Sequence, residues 1–97
     1  MTLTEIERIG VPVELDCGIQ NARIATWLDE EIALARFDGR WVFEDGGHTC
    51  TIELSRLENR VLGKLDLERT LVKIEGNQQA IDVFYRMFTL RFISAGG

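Results

Sequence analysis

The residues of this 97-residue chain that could do chemistry lie mainly between positions 36 and 50. Asp45, His48 and Cys50 follow one another closely, and Arg36 and Trp41 precede them. A carboxylate can fix the tautomer of an imidazole, and a thiol beside that pair could act as a nucleophile or a metal ligand. An arginine nearby could anchor a carboxylate or a phosphate. We therefore take Arg36, Trp41, Asp45, His48 and Cys50 as the candidate ligand-binding residues.

The spacing of this cluster argues against catalysis and against a bound metal. His48 and Cys50 are two positions apart on a predicted strand, or about 6 to 7 Å, which makes a direct hydrogen bond awkward. The chain has one histidine and no Cys-x-x-Cys pair, although Cys17 could lie nearby. We expect no catalytic residue, no metal and no cofactor. On this interpretation Cys50 is a core side chain, and the Arg36 guanidinium stacks on Trp41.

Two tight turns are predicted to place the cluster on one face of an antiparallel sheet. Asp38-Gly39 and Gly46-Gly47 are typical of two-residue hairpin loops between alternating strands. The resulting register makes these pairs: Ile32 with Asp45, Leu34 with Phe43, Arg36 with Trp41, Phe37 with Arg40, Asp45 with His48, Phe43 with Cys50, Trp41 with Ile52 and Arg40 with Glu53. The core face then collects Ile32, Leu34, Arg36, Trp41, Phe43, Asp45, His48, Cys50, Ile52 and Leu54.

An alternative stays open for the first of these strands. Leu28, Ile32 and Ala35 also have helical spacing, and on that interpretation Gly39 ends a helix and the first hairpin disappears. The second hairpin is common to both interpretations.

The residues before the meander predict an edge strand and a short helix. Val11, Val13, Leu15 and Cys17 alternate with polar positions and should face the core, and Pro12, which lacks an N–H, places the strand at an edge. Residues 2–9 could form one or two helical turns.

A short helix is expected from about Asn21, as its N-cap, to Leu28. The acidic residues 29–31 should follow its end, because the C-terminus of a helix carries partial negative charge. After the meander, residues 60–67 and 70–75 predict further strands, with breaks at Glu58-Asn59 and Gly63.

The C-terminal segment predicts a long helix that begins at the N-cap Asn77 and stops at Gly96. One apolar stripe, Ile81, Phe84, Tyr85, Phe88 and Phe92, should cover the sheet, and Asp82 can pair with Arg86. On nearly the opposite side lie Val83, Met87 and Leu90. A helix with two apolar sides needs two partners, so these three residues predict an oligomer interface. In the alternative, the helix ends near Phe88 and residues 89–93 form a strand.

Composition limits the class of protein. The formal net charge of -5 argues against nucleic acid and against an anionic membrane surface as partners. We identify neither an export signal nor an apolar run long enough to span a bilayer, so a cytoplasmic location with reduced cysteines is expected.

The sequence as a whole predicts one α+β domain over residues 1–97. We expect a mostly antiparallel, twisted sheet of five to six strands in a meander, with the long C-terminal helix packed on one face, or a half-barrel variant of that arrangement. The expected function is a non-enzymatic binding or regulatory module that acts as a homodimer, through the C-terminal helix or a sheet edge. The alternatives are a small-molecule or enzymatic pocket near Arg36, Asp45 and His48, and an accessory subunit for a basic protein partner.

Overall fold

The computed structural model describes residues 10–94, which form a five-stranded antiparallel sheet with two helices. The strands are β1 Val13–Cys17, β2 Ala35–Phe37, β3 Arg40–Asp45, β4 His48–Leu62 and β5 Leu65–Gly76, in the spatial order β1-β5-β4-β3-β2. Helix α1, Asn21–Thr26, continues as a π-helical turn, Trp27–Glu31, and helix α2, Gln78–Thr89, continues as a second, Leu90–Ser94. The predicted α+β architecture is confirmed, and the sheet does not close into a barrel.

The two predicted hairpin turns form with the predicted register. Asp38 and Gly39 both have positive φ, as do Gly46 and Gly47, which is the geometry of type I′ turns. Arg36 therefore lies opposite Trp41 and Asp45 lies opposite His48. Phe43 likewise faces Cys50, Trp41 faces Ile52, and Arg40 reaches Glu53 through an ion pair of 3.8 Å.

The first hairpin is shorter than predicted, because β2 begins only at Ala35. Ala33 has a φ of 47°, which breaks the extended backbone, and the Leu34 N–H donates to the carbonyl of Leu28 at 2.8 Å. The expected pairs of Leu34 with Phe43 and of Ile32 with Asp45 are therefore wrong. The helical alternative is correct only as far as Glu31, where the π-helical turn ends.

The predicted role of Asn21 as an N-cap is also wrong. Gln20 occupies the N-cap position, and the Asn21 N–H donates to the Glu68 carboxylate at 2.9 Å. The acidic run 29–31 lies inside the π-helical turn and not beyond the helix. Tertiary contacts offset the unfavourable charge there, since Glu31 pairs with Arg91 and Asp29 accepts a hydrogen bond from Trp41.

Strand β1 lies at the edge of the sheet, as the position of Pro12 predicts, and pairs with β5. Val13, Leu15 and Cys17 pack against the core as expected. Val11 does not, because it precedes the strand: its side chain is 75% exposed, and its N–H donates to the Gln78 side chain.

Strands β4 and β5 form one long hairpin whose turn lies at Gly63-Lys64. The predicted break at Gly63 is therefore confirmed, and it is the turn between β4 and β5 inside the predicted extended segment 60–67. Gly63 has a φ of 62°, which a residue with a side chain rarely adopts. The second predicted break, Glu58-Asn59, is a β-bulge within β4, between Leu57 and Arg60.

Helix α2 packs on the sheet through Ile81, Phe84 and Phe88, which are all buried. Asn77 is its N-cap, accepting from the N–H groups of Gln79 and Ala80, so this prediction is confirmed. The alternative strand over residues 89–93 is wrong, because the segment is helical. The predicted stop at Gly96 and the predicted helical turns at residues 2–9 lie outside the described residues.

Two details of α2 differ from the prediction. Tyr85 is 42% exposed and does not belong to the buried stripe. Asp82 accepts from the Gln78 amide at 2.8 Å and makes no ion pair with Arg86 within the described chain.

Trp27 fills the space between α1 and α2, with its ring centroid 5.7 Å from that of Phe84 and 5.3 Å from that of Phe92.

Candidate functional site

The Arg36 and Trp41 side chains contact each other, and Trp41 also contacts the π-helical turn that follows α1. The Arg36 guanidinium carbon lies 4.1 Å from the centre of the Trp41 ring, which is the expected cation–π contact. Trp41 is buried, and its indole N–H donates to the Asp29 carboxylate at 2.7 Å. Each of these groups therefore already has a partner within the chain, and ligand binding by Arg36 and Trp41 stays a prediction.

Asp45 and His48 lie opposite each other beside the Gly46-Gly47 turn, both half-buried. Cys50 lies on the same face, deeper in the core and 1% exposed. Burial raises the pKa of the Cys50 thiol to about 11, so the thiol is protonated at neutral pH. This protonation state is unfavourable for a nucleophile or a metal ligand.

Cys17 does not join this cluster. It lies opposite Thr70 on β5, whereas Cys50 lies opposite Gly76, six positions further along the same strand. At the rise of an extended strand this is about 20 Å. Within residues 10–94, no three His, Cys, Asp or Glu side chains lie close enough together to hold a metal ion.

Three surface hollows of the described chain lie away from the predicted polar cluster. The first, about 160 Å³, is lined by Asp16, Gly18, Arg60, Leu67 and Arg69. The second, about 430 Å³, is lined by Asp82, Tyr85, Arg86, Thr89 and Leu90. The third, about 260 Å³, is lined by Ala22, Arg23, Thr26, Glu31 and Arg91. None of the three is lined by the five candidate ligand-binding residues.

The predicted interface on α2 divides into two parts. Val83 and Met87 are half-buried and pack against the protein's own core. Leu90 is 60% exposed and lies at the second hollow with Tyr85. The apolar area that α2 leaves open is therefore smaller than the sequence predicts, and it lies toward the helix C-terminus.

A projecting hairpin that the sequence pattern does not predict lies at the far end of β4 and β5. We call it the arm, residues 55–69. Strand β3 pairs with β4 only as far as Ile52, and β1 pairs with β5 only from Thr70 onward. Both outer edges of the arm are therefore unpaired within the described chain. The radius of gyration, 14.9 Å, exceeds the value of about 12 Å expected for a compact domain of this length.

The arm exposes leucines on one side. Side chains alternate along each strand, and Thr70, Val72 and Ile74 point to the face that carries the helices. Leu65 and Leu67 therefore point to the opposite, helix-free face, as does Leu62 across from Leu65. Their exposed fractions are 53% for Leu62, 61% for Leu65 and 41% for Leu67. A cluster of this kind on a monomer's surface usually marks an interaction site.

An ion pair fixes the base of the arm. Arg69 donates to both carboxylate oxygens of Asp16 on β1 and, at 3.2 Å, to the carbonyl of Glu58 in the bulge. The hydrogen bonds from Arg69 lower the pKa of Asp16 below its usual value. Arg69 thus ties the arm to the rest of the sheet, which we call the body, at the point where β1 pairing ends.

One sequence signal could have located the arm. Gly63-Lys64 lies between Leu62 and Leu65, and the leucines continue at Leu67 with a two-residue period. A glycine in the first position of a two-residue loop is typical of a type II′ hairpin turn. The single apolar residues around it are too sparse to indicate a core strand, which is consistent with their exposure.

No helix within residues 10–94 is long and apolar enough to cross a membrane. Comparisons of the chain with protein-family models, with curated proteins and with solved structures give no significant match.

Proposed function

We propose that this chain is a non-enzymatic binding module that acts as a homodimer. The observation that carries the proposal is the arm, a two-stranded ribbon that exposes leucines and whose outer edges are unpaired within residues 10–94. An isolated two-stranded hairpin is at best marginally stable in water, and a free strand edge tends to pair or to be covered. An arm of this kind is expected to persist when a second protein surface packs on it.

The chemistry of the predicted polar cluster supports a binding role over an enzymatic one. Arg36 stacks on Trp41, and Trp41 donates to Asp29. The Cys50 thiol has a raised pKa because of its burial. These side chains contribute to the fold in the way that structural residues do, and a small-molecule site near Arg36, Asp45 and His48 gains no support from the hollows described above.

The mass of the protein in solution tests the proposal. Sedimentation equilibrium over the micromolar range should give twice the chain mass of 11.0 kDa, with dissociation on dilution. A mass of 11.0 kDa across the whole range would contradict the homodimer.

A paired comparison of variants separates the two candidate interfaces. Leu90→Glu places a charge on the exposed π-helical turn at the end of α2, and Leu65→Glu places the same charge on the arm. Both residues are about equally exposed, so each substitution should leave the monomer folded. Loss of the dimer in the Leu90→Glu variant alone would locate the interface on α2, as the sequence predicts.

A further inference from the structure

We infer that two copies stack the helix-free faces of their sheets, so that the arm of each copy lies across the sheet body of the other. This inference rests on the proposed homodimer and names the surface that forms it. Within residues 10–94 both helices pack on one face, and the leucines of the arm point to the other. The arm and the helix-free face of the body therefore form one continuous surface.

The proposed two-fold axis passes near Ser55, between the two stacked sheets and across the strands. On either side of Ser55, the arm and the body have about the same length along β4. Six positions along β4 separate Ser55 from Thr49, which lies opposite Glu44, one position from the far end of the body. Seven positions separate Ser55 from Leu62 at the tip of the arm, one of which is the extra residue of the bulge. Rotation about this axis therefore brings the tip of each arm to the end of the partner's sheet.

The charge of the arm is opposite to that of the rest of the chain. The arm contains four basic residues, Arg56, Arg60, Lys64 and Arg69, and three acidic residues, Glu58, Asp66 and Glu68, so its net charge is +1. Since the whole chain carries -5, the remainder carries -6. On the helix-free face of the body, the strands carry five acidic residues and two basic ones: Glu14, Asp16, Glu44, Glu53 and Glu75, with Arg40 and Lys73. A second copy of this chain therefore presents a negatively charged face to the arm.

Some charged residues of the arm and of the body's helix-free face do not take part in ion pairs, and their charges are opposite in sign. Asp16 pairs with Arg69, Glu53 with Arg40, and Glu75 with Lys73. Within the described chain, Glu14 and Glu44 on the body make no ion pair, nor do Arg60 and Lys64 on the arm. The Arg60 charge also acts on Asp16 across the first hollow, but that carboxylate is already paired with Arg69. The stacked arrangement brings the two basic side chains of each arm to the face that holds the two acidic side chains of its partner.

The apolar contacts are also self-complementary. Leu57 and Leu71 lie on the helix-free face at the base of the arm, next to the proposed axis, where each can pack against its counterparts. Val42 lies on the same face of the body and is half-buried. An arm about 25 Å long and about 12 Å wide covers about 300 Å² of its partner, so two arms remove about 1,200 Å² from solvent in total, the lower limit of a standard specific interface.

A charge-reversal experiment tests this arrangement. The first variant carries Arg60→Glu and Lys64→Glu on the arm, and the second carries Glu14→Lys and Glu44→Lys on the body. In a symmetric dimer, each variant alone places like charges together at both contacts, so its dissociation constant should rise by about tenfold or more. Mixed in equal amounts, the two variants restore opposite charges at both contacts and should form a heterodimer with about the affinity of the original protein.

Matched controls test whether the contact is made by the helix-free face of the arm and not by the arm as a whole. Arg56→Glu reverses a charge on the same arm, but on the face that carries the helices, and should change the dissociation constant by less than about threefold. Leu65→Ser and Val61→Ser remove similarly exposed apolar side chains from opposite faces of the arm. Leu65→Ser should weaken the dimer by about tenfold, and Val61→Ser by less than about threefold. Thermal melts of each variant in the monomeric range check that the fold persists.

The outcomes distinguish this inference from the proposed function. Selective heterodimer formation supports both. A dimer that persists in both charge variants and in Leu65→Ser, without preference in the mixture, would overturn the stacked arrangement while leaving the homodimer in place. A monomer for the unaltered chain would overturn both.

Discussion

The indole N–H of Trp41 donates a 2.7 Å hydrogen bond to the Asp29 carboxylate and thereby joins β3 to the π-helical turn that follows α1. The sequence predicts that the helix ends before the acidic residues 29–31. The hydrogen bond from Trp41 stabilises Asp29 within the helical turn and so explains the difference. Trp41 is 3% exposed, so its N–H has little access to water as an alternative partner. Asp29 therefore has a structural role, although it belongs to a run of acidic residues that is typical of a solvated segment.

Replacement of Asp29 by alanine should lower the free energy of unfolding by about 1 to 3 kcal/mol, because a buried donor is left without an acceptor. Asp29→Asn keeps an acceptor oxygen and should cost less. Urea denaturation followed by tryptophan fluorescence measures both. The control is Glu30→Ala, an exposed neighbour, for which a change within about 0.5 kcal/mol is expected. Equal losses for Asp29→Ala and Glu30→Ala would show that the hydrogen bond does not stabilise the fold.

Gly76→Ala should destabilise the fold by about 3 kcal/mol or more, because two unfavourable terms combine. Gly76 has a φ of 136°, and a Cβ there would lie 2.7 Å from the Cα of Cys50 and from the carbonyl oxygen of Thr49. Both contacts are with backbone atoms, which cannot move aside as a flexible side chain can.

Gly18→Ala is the matched control for this change, since a Cβ at Gly18 meets no atom within 4 Å in the described chain. A shift within about 0.5 kcal/mol is expected for it, measured by the same denaturation experiment. If Gly76→Ala were as stable as Gly18→Ala, the close approach of β4 and β5 at this point would be refuted.

Acid should destabilise the protein partly through two exposed ion pairs. Arg69 lowers the pKa of Asp16 below its ordinary value of 3.8, and Arg91 lowers the pKa of Glu31 below 4.5. A carboxyl group with a lowered folded-state pKa stabilises the fold above its ordinary pKa, and this contribution disappears as pH falls through the lowered value. The double variant Asp16→Asn, Glu31→Gln should therefore lose less stability than the original chain between about pH 5 and pH 2.

Thermal melts across this pH range, at low and high salt, measure the effect. The difference should be small at neutral pH and high salt, because both pairs are exposed and screened. Asp38→Asn with Glu30→Gln is the control, since it makes the same change in charge at residues without an ion pair in the described chain. An identical acid limb for both double variants would contradict a role for the two pairs.

The Cys50 thiol should react slowly with alkylating reagents in the folded protein. Its pKa of about 11, against an ordinary value of 9.0, leaves about 100-fold less thiolate at pH 8, and burial limits access as well. Iodoacetamide labelling of a Cys17→Ser variant, followed by intact mass, isolates this thiol. Labelling should accelerate at least about 100-fold when urea unfolds the chain. Rapid modification of the folded variant would restore Cys50 as a candidate nucleophile.

Local signals in the sequence were sufficient for the turns, for much of the strand register and for the start of α2. Asp38-Gly39 and Gly46-Gly47 favour one loop conformation, and the period of two then assigns every side chain of β3 and of the start of β4 to a face. The Asn77 cap is equally local, because its side chain bonds to N–H groups two and three residues away. The contact of Arg36 with Trp41 followed directly from that register.

Contacts between residues far apart in sequence decided the remainder. The Asn21 N–H donates to the Glu68 carboxylate. The acidic run 29–31 can lie within a helical turn because Trp41 and Arg91 donate hydrogen bonds to it. No pattern within a short segment reports such partners. The half-burial of Val83 and Met87 likewise depends on how α2 is seated on the sheet, so helical periodicity overestimated the open apolar surface.

The sequence alone determined an α+β domain with an antiparallel meander, a core face containing Trp41, Phe43, Cys50 and Ile52, and a C-terminal helix that covers it, because turn chemistry and side-chain periodicity are local properties. Only the tertiary structure decided how far the neighbouring strands reach. Strand β3 stops pairing at Ile52 and β1 at Thr70, and this difference in length turns an ordinary hairpin into a projecting arm. The exposure of the leucines on this arm could therefore not be predicted from the sequence, since exposure depends on which neighbouring strands end before the arm.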